Sequence, residues 1–169
     1  DAETGSTIIR FDEASEVLAG LIDVRPGERV LDIGCGAGAL GTVAALQSRT
    51  GRVVLVDADS EAVRCAARTL STANAHNAHA CVSDVASMVL DETFDVVVAN
   101  PPFHVGTHTD LDVPRQFIRE AFQVLAPGGR LLLVANRTLP YEGVVQREFG
   151  TVQTLHNGRR FKVLGATRP

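Results

Sequence analysis

Short, unbroken apolar runs recur along this chain, separated by longer stretches of helical periodicity, and that alternation limits the fold more than any other feature. Residues 30–33, 53–56, 79–82, 94–99 and 131–135 are brief and mostly Val, Leu, Ile or Ala, as strands covered on both faces should be. Between them lie amphipathic stretches. Residues 12–23 carry Val17, Leu18, Leu21 and Ile22 behind Asp12, a ready N-cap. A second helix starts within a glycine cluster and carries Leu40, Val43, Ala44 and Leu46, and a third opens at Asp59 or Ser60 with Val63, Ala66, Ala67 and Leu70. A fourth holds Pro114 in its first turn, where a missing N–H costs little, and sets Phe117, Ile118, Ala121, Phe122 and Leu125 on one side before Pro127-Gly128-Gly129 stops it. Strands that alternate with helices pair in parallel through right-handed crossovers. After Ala135 the rhythm changes: a short helix over 141–149 leads to strand-like pieces at 151–156 and 159–166, joined by Asn157-Gly158, a strong hairpin signal. The expected fold is α/β: a doubly wound, mostly parallel seven-stranded Rossmann-like sheet with a C-terminal antiparallel hairpin. Its ligands belong at the carboxyl ends of the strands.

At 169 residues the chain fits one domain with one core. Residues 1–28 read as an N-terminal segment and helix, 29–136 as the ligand-binding core and 137–169 as the C-terminal helix and hairpin. No apolar run approaches the roughly 20 residues of a membrane span, and the N-terminus has no signal pattern, so a cytoplasmic location is expected. The chain begins at Asp1 without a methionine, which leaves a preceding domain open. Cys35, Cys65 and Cys81 are widely spaced and form no CxxC pair, which argues for reduced thiols and against a metal site. A net charge of -4 argues against a protein that holds nucleic acid by charge alone. The charge is uneven, however: from Arg137 onward six basic residues stand against Glu142 and Glu148.

The first strand runs into VLDIGCGAGALG, where Gly36 to Gly41 match G-x-G-x-x-G and Asp57 follows at the spacing of a dinucleotide-binding carboxylate. The motif is weak alone. A further glycine, Gly34, precedes the pair, and Asp32 ends the strand just ahead of it. A carboxylate there suits an amino group or a sulfonium cation and repels a pyrophosphate. Asp57, at the end of the second strand, can accept hydrogen bonds from both ribose hydroxyls.

LDIGCGAG, residues 31–38, resembles the cofactor loop of class I S-adenosylmethionine-dependent methyltransferases. The resemblance implies S-adenosyl-L-methionine (AdoMet) as cofactor, with Gly34, Cys35, Gly36 and Gly38 around its methionine and ribose parts and Asp32 near its amino group. VDAD, residues 56–59, resembles that family's second acidic element, with Asp57 on the ribose and Ala58 against the adenine. VSDV, residues 82–85, resembles the third, with Asp84 and the Val85 backbone reading the adenine amino group.

The fourth strand ends in Asn100-Pro101-Pro102-Phe103. An exocyclic amine is a poor nucleophile because its lone pair is delocalised, and two acceptors placed for its N–H bonds stabilise the pyramidal, charge-bearing geometry of attack. The Asn100 side chain supplies one carbonyl and the Pro101 backbone another. The prolines stiffen the site and bring no competing N–H. Phe103 offers a face for base stacking, while His104 reads as a rim or structural histidine. N-P-P-F resembles the Asn/Asp-Pro-Pro-aromatic motif of amino-group methyltransferases, with Asn100 also bordering the cofactor. Cys35, in the glycine loop, is a poor nucleophile candidate.

From Phe11 to Ala166 the chain resembles the catalytic half of ribosomal RNA small-subunit guanine-N2 methyltransferases. The resemblance implies methylation of guanine N2 in small-subunit (16S) ribosomal RNA, and that RNA or the small ribosomal subunit as partner. Many members of that family carry a second, N-terminal domain that helps to hold RNA; this chain matches only the other. Arg159, Arg160 and Lys162 are then candidates for phosphate contact. Adenine N6 or a protein glutamine amide as the methylated amine, or a cofactor-binding RNA module without turnover, are the alternatives.

Overall fold

The computed structural model describes residues 9, 11–102 and 111–169. Seven strands form one sheet: β1 (Arg29–Ile33), β2 (Arg52–Asp57), β3 (Ala78–Val82), β4 (Phe94–Ala99), β5 (Leu125–Asn136), β6 (Gln153–Asn157) and β7 (Phe161–Thr167). Their order is β3-β2-β1-β4-β5-β7-β6. The first five named in that order pair in parallel, while β7 runs antiparallel to both β5 and β6. This is the doubly wound sheet with an antiparallel end that the sequence predicts. The direction of winding reverses between β1 and β4, which opens a crevice at their carboxyl ends.

Alternation along the strands feeds two apolar layers. Leu31, Ile33, Val54, Val56, Val97, Ala99, Leu131 and Leu133 face α4 (Asp112–Val124) and α5 (Tyr141–Phe149). Val30, Val53, Leu55, Val96, Val98, Leu132 and Val134 face α1 (Glu13–Ala19), α2 (Ala39–Gln47) and α3 (Ser60–Thr72). The parity carries to the strand ends. Asp32 shares the face of Val30, Asp57 that of Leu55, and Asn100, one residue beyond β4, continues that of Val96 and Val98, so all three belong to the α1–α2 side.

Four expectations need correction. The first helix stops at Ala19 rather than Asp23, with Gly20 as its C-cap; Asp12 caps its start, accepting the Ser15 N–H at 2.6 Å. Strand β3 is an edge strand with half-buried faces and an exposed Val82, not a strand covered on both sides. Pro127-Gly128-Gly129 lies within β5 as an irregularity. Leu125 pairs with Phe94, the register then shifts, and Arg130 pairs with Val96. The Gly128 N–H donates to the Arg168 carbonyl and the Arg168 N–H to that of Gly129, so the C-terminal residues consume the polar groups that the bulge frees. In the hairpin, Arg159 and Arg160 belong to the turn rather than to the second strand, and the Gly158 N–H closes it on the Phe161 carbonyl at 2.9 Å.

The segment between α1 and β1 is pinned to the sheet. Arg130 on β5 donates to both carboxylate oxygens of Glu28, at 2.6 and 2.8 Å, and also to the Asp23 carbonyl. The guanidinium holds the Glu28 carboxyl below its usual range. A forked pair of this kind fixes direction as well as distance, and it seats α1 against the strand ends.

Candidate active site

At the end of β1 the chain turns through Gly34, Gly36 and Gly38, all with positive φ, before α2 begins at Ala39. Gly36 sits at φ 52°, where an L side chain is strained whatever the space available. Gly38 and Gly41 are small for a second reason. A Cβ on Gly38 would stand 2.9 Å from the Ala66 Cβ, and one on Gly41 2.4 Å from the Leu55 Cγ. These two glycines let α2 approach α3 and β2.

Helix α2 has no side-chain cap of its own, since its N-cap is Gly38. Asp32 fills that need from below, with Oδ2 accepting the Gly41 N–H at 2.8 Å. The carboxylate is 1% exposed, and its Oδ1 is a buried side-chain atom without a hydrogen-bond partner among the described residues. Burial pushes its pKa up to about 7, against the pull of the Gly41 bond and with a smaller push from Asp57. Asp32 thus lies beneath the glycine loop rather than in a cavity wall. Asp57 braces the same loop from β2: Oδ2 accepts the Gly36 N–H and Oδ1 the Asp59 N–H, both at 2.9 Å.

Two compartments open over these strand ends. The larger, about 340 Å³, is bounded by Asp57, Ala58, Asp84 and Val85 on one side and by Pro102, Gln116 and Phe117 on the other. The smaller, about 270 Å³, lies between α1 and the glycine loop, with Asp12, Ser15, Cys35 and Gly36 in its wall. Gly34 and Asn100 border both. They follow β1 and β4, the strands that flank the reversal of winding.

Val85 is a β-branched residue held at φ 49°, an uncommon backbone state for such a side chain. Glu120 on α4 stabilises it: this carboxylate, 8% exposed, accepts the Ala86 N–H at 2.7 Å and the Gln116 Nε2 at 2.8 Å. Asp84 is exposed at the rim of the larger compartment. Asn100 donates through Nδ2 to Ser15 Oγ at 3.0 Å and lies 3.4 and 3.5 Å from the two carboxylate oxygens of Asp12. Pro101 is buried and Pro102 exposed; Phe103 and His104 lie outside the described residues.

The fold thus brings Gly34, Cys35, Gly36, Asp57, Ala58, Asp84, Val85, Asn100 and Pro102 to the two compartments, with Asp32 behind them. Asp12, Ser15, Gln116 and Phe117 also border the compartments, and Glu120 lies behind Val85. In the sequence Asp12 reads as a helix cap and Phe117 as part of an apolar stripe, while Ser15, Gln116 and Glu120 carry no distinguishing signal. Cys35 is buried, and burial pushes its thiol far up, as suits an inert packing residue. Lys162, expected at a phosphate-facing edge, is instead 6% exposed and paired with Glu142 at 2.6 Å. Arg168 is spent on the Leu125 and Gln123 carbonyls and the Phe122 ring. Arg159 and Arg160 are exposed beside a groove of about 600 Å³ that also meets Glu13 and His156, with Arg160 paired to Glu13 and stacked on the Phe161 ring.

Comparison with known proteins fits this geometry. The ribosomal RNA small subunit methyltransferase C of Hahella chejuensis is 40% identical over 159 residues, which cover 94% of this chain and 46% of that protein. The protein of the same name from Pseudomonas aeruginosa is 38% identical over 94% of this chain and 47% of its own length. The chain therefore spans just under half the length of these relatives. Among solved structures, a 16S rRNA N2 methyltransferase of T. thermophilus, in complex with AdoMet and guanosine, superposes with a TM-score of 0.86 at 36% identity, covering 99% of this chain and 45% of that one. Residues 7–165 match the methyltransferase small domain family, and the chain belongs to that family.

Proposed function

We propose that the chain is an AdoMet-dependent N-methyltransferase that acts on an exocyclic amine, namely guanine N2 in small-subunit ribosomal RNA. The observation that carries this reading is the position of Asn100 and Gly34 on the boundary of both compartments. A methyl donor laid across the glycine loop would end beside Asn100, a strand-end amide that can hold an amine.

The residues present fit the cofactor. Asp57, in the wall of the larger compartment, would accept from the ribose hydroxyls, the Val85 backbone would meet the adenine, and Asp32 would support the glycine loop from behind. Asp57 and Asp84 in the wall of the larger compartment and Asp12 in that of the smaller would oppose a pyrophosphate. When bound, AdoMet supplies an electrophilic methyl group on a sulfonium. Asn100 Oδ1 and the Pro101 carbonyl accept the two N–H bonds of the amine, turn its lone pair out of conjugation and stabilise the charge that develops on nitrogen. The methylated nitrogen then loses its proton to water, so no strong base is required. The T. thermophilus structure with guanosine and the names of the relatives support guanine in ribosomal RNA as substrate. Arg159 and Arg160 are the candidates for backbone phosphate, and a further domain of the full-length protein would supply the rest of the RNA grip.

Asn100→Ala tests the reading. Methyl transfer to small ribosomal subunits that lack this modification is expected to fall at least about 100-fold, the scale of a lost oxyanion-type partner. S-adenosylhomocysteine affinity should change by less than about threefold. Unaltered transfer by the variant would contradict the assignment.

A further inference from the structure

The amide of Asn100 is useful only if its oxygen, rather than its NH2, faces the substrate, since an amine that is to be methylated presents hydrogens. Among the described residues, nothing on β4 sets that choice. Resting on the function proposed above, we infer that Asp12 and Ser15 of α1 are positioning residues that lock the Asn100 carboxamide with its oxygen toward the substrate amine.

Parity along β4 turns the Asn100 side chain toward the α1–α2 side of the sheet, and α1 meets it there. Ser15 Oγ lies 3.0 Å from Asn100 Nδ2, and the Asp12 oxygens at 3.4 and 3.5 Å. The assignment of oxygen and nitrogen follows from chemistry. A carboxylate accepts and cannot donate, so the amide end that faces Asp12 must be the NH2. A serine alone could not decide this, because its hydroxyl both donates and accepts. With NH2 committed to α1, Oδ1 is left for the cleft.

The arrangement is braced. Asp12 Oδ1 is held by the Ser15 N–H at 2.6 Å as the helix cap. Arg130 fixes the segment after α1 through Glu28 and the Asp23 carbonyl, and Arg160 pairs with Glu13 in the first turn. Asp12 and Ser15 also border the smaller compartment, so the competing role is direct contact with the cofactor. That role predicts a different loss.

Asp12→Asn separates them. Asn caps a helix as well as Asp does, so the introduced amide keeps its oxygen on the Ser15 N–H and turns its NH2 toward Asn100. Asn100 must then offer its oxygen to α1 and its NH2 to the cleft, where it opposes the substrate's own hydrogens. Turnover of full-chain protein is followed with labelled AdoMet and small ribosomal subunits prepared without this methylation, alongside S-adenosylhomocysteine titration and thermal unfolding. The expected result is a fall in kcat of at least about tenfold. Dissociation constant and melting temperature should stay close to the wild type's, and Ser15→Ala should show a smaller fall of the same kind. Wild-type kcat in Asp12→Asn, or a loss of S-adenosylhomocysteine affinity as large as the loss of kcat, would overturn the inference. An absence of methyl transfer by the wild type itself would instead overturn the function on which the inference rests.

Discussion

Asp32 combines two demands in one side chain. Its Oδ2 completes the N-terminus of α2 through the Gly41 N–H, and its Oδ1 has no partner among the described residues. An ordinary aspartate loses its proton near 3.8, whereas here burial raises the value to about 7. The folded chain therefore holds this proton more tightly than the unfolded chain. The stability that the group contributes is complete below about pH 4 and is lost as pH rises through about 7. Urea unfolding of the ligand-free wild type and of Asp32→Asn should show this as a difference that moves against the wild type between those limits. A difference that stays constant with pH would contradict it. Asp32 was legible from its place at a strand end before a glycine loop. Its burial beneath the loop was not, because that depends on the reach of α2, which only the packed sheet defines.

Helix α4 steadies the far wall of the larger compartment through a contact 34 residues long in sequence, from Glu120 to the Ala86 N–H. Removing that acceptor leaves a buried donor unpaired, at a cost of about 1–3 kcal/mol, and frees Val85 from its left-handed backbone state. Glu120→Ala is thus expected to lower the melting temperature and to weaken S-adenosylhomocysteine binding roughly tenfold by calorimetry; unchanged affinity would show that Val85 does not depend on this brace. The elements themselves were well marked. Period and glycine spacing gave the strands, the crossover helices and the hairpin, because those signals are local. What escaped were pairs whose partners lie on different elements: Asp12 and Ser15 with Asn100, and Glu120 with Ala86. The bulge at Pro127 to Gly129 also needed its tertiary partner, Arg168, to be seen, whereas the early stop of the first helix follows from Gly20, a local C-cap. The glycine motif is ambiguous for a physical reason. Gly38 and Gly41 serve the packing of α2 on α3 and β2, a need that any strand-loop-helix ligand site shares, so only the surrounding carboxylates tell the ligands apart.

Across the whole molecule, the reversal of winding between β1 and β4 sets the glycine loop against the Asn-Pro-Pro turn, and every site residue discussed above is placed relative to that crevice. Charge is distributed less simply than the sequence indicated. The basic tail is partly internal, since Lys162 and Arg168 are consumed by Glu142 and by the end of α4, and the exposed cations at the hairpin turn are Arg159 and Arg160. With only two candidate phosphate contacts, Arg159 and Arg160, on a chain of net charge -4, RNA affinity should be modest and its salt dependence shallow. Among the described residues no helix is long and apolar enough to cross a membrane. The central claim is that the crevice transfers a methyl group to guanine N2. Its most direct test incubates the protein with labelled AdoMet and small ribosomal subunits lacking this modification at low salt, then digests the RNA and identifies the labelled nucleoside. N2-methylguanosine is the predicted product; label recovered as N6-methyladenosine, or in ribosomal protein instead of RNA, would contradict the account.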